Sequence, residues 1–482
     1  MERDSTVTAM DLAVRAAEDA LRLAPGLRPR IQQVVMINVL SGAPRAAASV
    51  LSDRLGLAPR QVEVTTVGGN SPQWAVTRAA SAVAAGDIDA VLVVGAEAQR
   101  SQRAARGQGN RHQGSATQKS DDGDADRPAD LTVGDERMGV GQEELDAGLI
   151  VPVHVYALFE SVLAHRAGRS FAEQRLALGA LMAPFTEVAA AHPYAWFPQR
   201  RRPGELSELT PDNRLVTEPY PKRMCAVLGV DQGAAVVVSS LGAARAAGVA
   251  EQVIFCVAGA DANDVWYPSA RPDPGRSPGI AAAGSAAFTA AGIGVDDLVA
   301  IDLYSCFPCA VQMGGAALGL DPSDRRGLTV TGGLPYFGGP GNNYTLHAIA
   351  TMAGLLLDHR GIGLVTGLGW YATKHAVGIY SSAPPARGWQ RGDTGVAQTA
   401  IDATAVELAH PGVEGAATVV ASTVVVGPNG EAASVPAILR LPDGRHLPAT
   451  AAADDVPALA GRNLVGKDVL LCGPGPRFRV LG

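Results

Sequence analysis

Apolar residues recur along this chain at two spacings, and stretches of one spacing alternate with stretches of the other. Met10, Ala13, Val14, Ala17, Ala20 and Leu21 fall on one face of a helix. Residues 34–37 form a short apolar run of strand length. Residues 44–55 read as a helix, with Pro44 in its first turn and Gly56 just past its end. A strand follows at 62–67. Residues 72–85 then form a helix opened by Ser71 as N-cap and closed by Gly86. Residues 90–94 are apolar on both faces, as in a buried strand. The same order returns later: strand 253–258, helix 279–291, strand 298–303, helix 308–318, a glycine-rich turn, helix 345–357 and strand 363–368. Apolar strands alternating with helices predict an α/β fold with mainly parallel sheets covered on both faces. Two copies predict two fused halves, residues 1–240 and 241–388, related by a pseudo-two-fold.

The copies differ at one place. The second opens with a strand ahead of its first helix, and the first does not. Either the first sheet has one strand fewer, or the start codon is placed too far downstream; the repeat favours the second, which upstream in-frame coding sequence would test. Between the halves lies an insertion, roughly 99–222. Its first part, 100–130, is rich in Gln, Gly, Asp, Arg and Ser and is expected to be a mobile loop. Its second part holds a helix around 153–167, the aromatic stretch Tyr194-Ala195-Trp196-Phe197 and the basic run Arg200-Arg201-Arg202. A strand at 233–240 returns to the first sheet. Beyond about 385 the pattern changes to strands at 417–426, 435–441 and 468–472, separated by turns such as Gly427-Pro428-Asn429-Gly430. They predict an added β domain over 395–482, a small barrel.

Composition narrows the class. The chain has 482 residues, long enough for two to four units, with 47% hydrophobic and 18% charged residues. A formal charge of −7 argues against nucleic acid as the main partner. Five cysteines, an odd number, do not make a disulfide framework and suit a reducing, cytoplasmic setting. No apolar run reaches about 18 residues, so no membrane span is expected. The start, Met1-Glu2-Arg3-Asp4, lacks the basic-then-apolar order of a signal peptide.

Four segments carry the candidate chemistry. Gly68-Gly69-Asn70-Ser71-Pro72 joins a strand to a helix start, where backbone N–H groups and the helix dipole suit an anion or an oxyanion. The same residues also serve as a plain turn and cap. Asp302-Leu303-Tyr304-Ser305-Cys306-Phe307-Pro308-Cys309 ends a strand, and its Cys-x-x-Cys allows a redox pair. No second cysteine pair is present to complete a zinc site, so no metal is expected. Gly332 to Tyr344 is a glycine-rich loop, with Gly338 and Gly339 ahead of Tyr344 and His347 at a helix start. Leu368-Gly369-Trp370-Tyr371-Ala372-Thr373-Lys374-His375 follows a strand, and its Tyr371, Lys374 and His375 could supply an acid–base group or line a binding surface.

These motifs are similar to those of the thiolase superfamily over most of residues 7–385. Thr65 through Glu97 resembles the thiolase nucleophile segment, including the Gly86-Asp87-Ile88-Asp89 turn, and Val230-Asp231-Gln232-Gly233-Ala234-Ala235 resembles its Asp-Gly-Ala-Ala segment. Cys306-Phe307 matches the form found in sterol-carrier-type thiolases. The tail places the chain nearest the type 1 thiolase-like proteins, which carry an additional C-terminal domain. The resemblance implies coenzyme A or an acyl-CoA as ligand, with no covalently bound cofactor. It also implies a nucleophilic cysteine where Gly69 stands, an activating histidine where Gly339 stands, and an acid–base cysteine where Leu368 stands. None of these three can do the family's chemistry, since a glycine has no side chain to acylate. The remaining candidates for catalysis are Tyr304, Tyr344, His347 and His375. For the ligand they are Gly68, Gly69, Asn70, Ser71, Gly338 and Gly339, with Arg201 and Arg202, together with Arg200, Lys222 and Arg223, for its phosphates.

Three functions remain open on sequence. The first is a protein that binds acyl-CoA without thiolysis or Claisen condensation, either catalytically silent or acting as a retro-aldol lyase through Tyr and His groups. The second is a non-catalytic interaction protein, and the third an acyl-CoA acyltransferase, as the resemblance alone would suggest. A homodimer, or a partner protein at the C-terminal domain, accompanies these expectations. The replaced positions are Gly, Tyr and Asn rather than bulky apolar residues, which points to a retained pocket. Trp370 or Tyr336 lying across it would count against that.

Overall fold

A computed structural model of the chain describes residues 7–108, 127–473 and 475–481, with the side chains of 106–108 excepted. The first half runs α1 (Ala9–Leu23), β1 (Ile31–Met36), α2 (Ala47–Arg54), β2 (Gln61–Thr65), α3 (Ser71–Ala85) and β3 (Ala90–Ala98). Each helix follows from local chemistry. Thr8 and Asp11 form a reciprocal capping box at the start of α1. Gly86, left-handed at φ 82°, ends α3 as its position in the sequence predicts.

The insertion contributes a helix over Gln99–Gln108, β4 (Leu131–Val133), α4 (Pro152–Arg166) and α5 (Phe171–Ala191). Two expectations change here. The stretch 100–130 is not all loop, because its first residues continue into a helix; residues 109–126 lie outside the described ones. The 21-residue α5 has no counterpart in the sequence reading. Its Ala- and Leu-rich run is apolar around much of its circumference, which blurs the helical period. β5 (Asp231–Ser239) then completes a sheet in the order β4-β2-β1-β3-β5, antiparallel only between β3 and β5.

The second half comprises β6 (Phe255–Asn263), α6 (Pro278–Ala291), β7 (Leu298–Asp302), α7 (Pro308–Leu318), α8 (Tyr344–Asp358), β8 (Ile362–Gly369), β9 (Lys374–Ser381) and β10 (Gln390–Arg391). Its sheet order is β10-β6-β9-β8-β7. β9 runs antiparallel to both neighbours. The repeat is plain in the pairing: β1-β3-β5 and β7-β8-β9 share order and direction. α3 and α8 pack against each other between the two sheets, while α1 and α2 cover the outside of one and α6 and α7 the outside of the other. The central layer brings both helix starts to the middle of the molecule.

The tail folds into a closed barrel of β11 (Gly415–Ser422), β12 (Pro436–Arg440), β13 (His446–Ala451), β14 (Asp468–Leu471) and β15 (Arg477–Val480), in the order β11-β12-β13-β15-β14. It has its own core around Val419, Leu439, Leu447, Val469 and Phe478. It is bound to the insertion: Asn463 donates to the Ser161 carbonyl at 2.8 Å, and the hydroxyls of Thr217 and Thr423 meet at 2.8 Å.

Candidate functional site

The four sequence segments converge where α3 and α8 begin. The Gly68 N–H donates to Asn342 Oδ1 at 2.9 Å, and the Thr345 hydroxyl donates to the Gly69 carbonyl at 2.7 Å. Asn342 and Asn343 reach on to the first half, donating to the carbonyls of Asn38 and Gly95 at 2.9 and 2.7 Å. Sequence reasoning did not single out these two asparagines. Their place just before a helix was the available signal. Nor is Ser71 the cap: Asn70 holds that position, Ser71 is the first helical residue, and its hydroxyl turns back to the Thr66 carbonyl at 2.9 Å.

Gly69 is glycine for a steric reason. A Cβ built on it would run into the Tyr304 hydroxyl and the Leu368 carbonyl oxygen. The phenol of Tyr304, delivered from the end of β7 in the other half, therefore stands where a side chain at 69 would begin. Its ring meets that of Tyr344 edge-on at 5.5 Å. Burial pushes its pKa up, with Cys306 adding to the shift, so the hydroxyl stays protonated and is able to donate a hydrogen bond.

Tyr156 of α4 joins this cluster and was missed in the sequence, where it is one apolar-face residue among many. Its hydroxyl donates to the Trp370 carbonyl at 2.8 Å and accepts from Ala372 N–H at 3.0 Å. Those contacts hold the β8–β9 loop in a costly shape: Trp370 and Ala372 have φ of 54° and 51°, left-handed values without glycine. Lys374 steadies the same loop by donating to the carbonyls of Val67 and Asp135 at 3.0 and 2.9 Å. Desolvation lowers its pKa. The Trp370 ring packs on Gly139 of the insertion. Tyr336 is buried, and its backbone carbonyl accepts from Phe197 N–H at 3.0 Å.

The other tyrosine and both histidines stand elsewhere. Tyr344 is fully buried, and its hydroxyl lies 2.5 Å from that of Thr331 and donates to Asp302 at 3.2 Å. Burial raises Asp302 to about 6 despite hydrogen bonds from Val330 and Thr329. His347 points away from Gly69 into a separate cleft shared with His192 and Phe337. Desolvation drops it to about 3 and His192 to about 4.

His375 Nε2 lies 2.9 Å from Asp264 Oδ2 and 3.0 Å from Ser277 Oγ, all three buried. This trio is no nucleophilic relay, because serine and aspartate share one ring nitrogen. Ser277 is also the N-cap of α6. Burial favours the neutral form of Asp264, but hydrogen bonding and charge from His375 outweigh it and hold its pKa down.

The cysteine pair is equally quiet. Cys306 and Cys309 are both free and buried, and desolvation pushes Cys306 up to about 12 and raises Cys309 well above the usual thiol range. Neither is a thiolate near neutrality, as a redox pair needs. Among the described residues no group of three or more His, Cys, Asp or Glu side chains is placed to hold a metal ion. Arg201 and Arg202 bond locally, to Gln199 at 2.5 Å and Glu205 at 3.1 Å, and Arg202 is exposed. Gly338 abuts the Gln232 side chain, while a Cβ at Gly339 would meet only ordinary or slightly tight contacts, the nearest with the Val227 carbonyl at 3.3 Å.

Several buried polar atoms on the converging segments, Asn70 Oδ1, Ser305 Oγ, Tyr336 Oη, Asn343 Oδ1, Trp370 Nε1 and His375 Nδ1, have no hydrogen-bond partner in the protein. The arrangement can hold and polarise a carbonyl; it contains no ready nucleophile. No helix among the described residues is long and apolar enough to cross a membrane.

No family model and no curated protein matches the sequence. Among solved structures the chain is similar to a monomeric SCP2-thiolase like protein type 1 from Mycobacterium smegmatis. That match has 30% identity and a TM-score of 0.83, covering 100% of this chain and 97% of that one. With both sheets, the insertion and the barrel included in the match, the chain belongs to the SCP2-thiolase-like proteins of type 1.

Proposed function

We propose that the protein binds coenzyme A thioesters at the start of α3 and holds the thioester oxygen without forming an acyl-enzyme. The observation that carries this is the position of Tyr304, whose hydroxyl takes the space of a side chain at Gly69. A protonated phenol at the positive end of a helix suits a carbonyl oxygen. Acyl transfer needs a nucleophile, and the groups here are a glycine, a protonated phenol and the Cys306 thiol with its pKa near 12. Retro-aldol cleavage needs a base. Tyr304 is held protonated, and His347 and His375 face other partners. These features favour binding over lyase chemistry. Arg201, Arg202 and Lys222 are the basic groups proposed for the phosphates.

Incubation with acetyl-CoA, followed by intact-protein mass and thermal melting, tests the proposal. The expected result is a raised melting temperature with the mass unchanged. A covalent acetyl adduct, or no stabilisation by any of a panel of acyl-CoA and β-hydroxyacyl-CoA esters, would overturn it. Cleavage of a β-hydroxyacyl-CoA would move the assignment to a lyase.

A further inference from the structure

Beyond β4 the insertion passes the start of α3 as a strap, residues 134–141. The strap leaves β4 at Gly134, whose φ of 117° favours glycine and where a Cβ would collide with the Thr66 hydroxyl. It ends at Gly141, whose N–H donates to Glu144 Oε2 at 2.9 Å as the short helix Gln142–Asp146 begins. Gly139 is the one buried residue between these ends. Glu136, Arg137 and Met138 are exposed, so the strap adds little to any core. Segments with few buried apolar contacts open at low cost in free energy, and lids are drawn from them.

What holds the strap down belongs to the site beneath it. Lys374 Nζ donates to the Asp135 carbonyl at 2.9 Å and to the Val67 carbonyl, just ahead of the Gly68-Gly69 turn, at 3.0 Å. Trp266 Nε1 donates to the Met138 carbonyl at 2.7 Å. The Trp370 ring lies so close on Gly139 that a Cβ there would run into it. All three grip the backbone of the strap. Lys374 is only 4% exposed. A buried ammonium needs acceptors for its three donors. Here two are backbone carbonyls, and one of those is part of the strap.

We propose, resting on the thioester binding described above, that residues 134–141 are a lid over the α3 start, and that the Asp135 carbonyl holds the place on Lys374 that a ligand carbonyl takes when the lid lifts. With the lid down, Lys374 is paired with the protein's own backbone. With the lid up, it donates to the thioester or to a pantetheine amide. Lid and ligand compete for one donor, so the affinity follows the fraction of open molecules.

Hydrogen exchange of the full chain, followed at residues 134–141, and calorimetric titration of acetyl-CoA test the lid on two variants. Lys374→Met removes the latch together with the ligand's donor: exchange in the strap should rise about tenfold and affinity fall about tenfold. Gly139→Ala drives the Trp370 ring and the strap apart while Lys374 stays: exchange should again rise about tenfold, but affinity should increase about threefold. A merely structural role would move both affinities the same way. Saturating acetyl-CoA should speed exchange in the wild-type strap, since it displaces Asp135. Unchanged strap exchange in both variants, or in wild type with bound acetyl-CoA, overturns the lid. Wild-type affinity in Lys374→Met, or weaker binding in Gly139→Ala, overturns the change of partner at Lys374. If no thioester binds the wild type, the thioester reading fails by itself. The lid then rests on exchange in the two variants alone: faster exchange upholds it and unchanged exchange overturns it.

Discussion

The starts of α3 and α8 hold equivalent positions in the two halves and touch at the centre of the molecule, yet they are built for different work. Each follows a glycine turn, and each is capped by an asparagine in helical conformation whose side chain makes no capping bond. At α8 the first residue is Tyr344, with 0% exposure and a hydroxyl committed to Thr331 and Asp302. At α3 the preceding Gly69 offers no side chain, and its space is taken by Tyr304, which keeps 7% exposure. One helix start is fastened into the fold. The other carries a donor that belongs to the opposite half. Symmetry of backbone does not imply symmetry of use: polar groups satisfied internally contribute stability, and those left over are where a ligand can be held.

The strongest way to break this contrast is Gly69→Ala. Its methyl group would meet the Tyr304 hydroxyl and a backbone oxygen that cannot rotate away. Urea unfolding should show a loss of about 3 kcal/mol, against less than about 1 kcal/mol for Gly339→Ala, which has far more room. Equal losses would mean that the α3 start is not specially tight. Asn342→Ala should come next, at about 2 kcal/mol, because it strands the buried N–H of Gly68. Tyr344→Phe removes a bond to a buried carboxyl and should cost about 1 kcal/mol in the same assay.

The smallest effect is a pH dependence. His347 has its folded pKa pushed down to about 3, so below pH 6.5 the unfolded chain takes up the proton first. Stability from this residue is complete above pH 6.5 and is lost as pH falls towards 3. Linkage gives about 0.7 kcal/mol between pH 7 and pH 6. Asp302, raised to about 6, has the opposite sign: its contribution is present at low pH and lost as pH rises through 6. Comparing wild type with His347→Gln at both pH values isolates the histidine, and the variant should show the smaller loss on acidification.

Much of the fold can be read from the chain. Residues 308–318, expected as helix from the proline start and apolar spacing, are helical over that same span. α3, α6 and α8 lie within a residue of expectation. Both halves repeat because the same alternation of strand and helix recurs. What escaped was set by tertiary contact. β9, from Lys374 to Ser381, has no counterpart in the sequence reading, because it begins in the polar and aromatic stretch after β8; it is nevertheless buried throughout as the interior strand between β6 and β8. In the barrel, β13 and β15 are short strands that only closure explains. At the site, the four converging segments and the prominence of Tyr304 were legible. Tyr156, Asn342 and Asn343 were not, because their roles arise from hydrogen bonds spanning 214 to 304 residues. His347 and His375 have the right chemistry for catalysis, but helix phase turns one into a separate cleft, and a buried aspartate and serine hold the other.

The central claim is that Tyr304 holds a ligand while Tyr344 holds the fold. Calorimetric titration of acetyl-CoA into Tyr304→Phe and Tyr344→Phe, with wild type alongside, tests it most directly. Losing one hydrogen bond should weaken binding about tenfold in Tyr304→Phe, with little change in stability, and leave the affinity of Tyr344→Phe near that of wild type. Unchanged affinity in Tyr304→Phe, or equal weakening in both variants, would contradict the account.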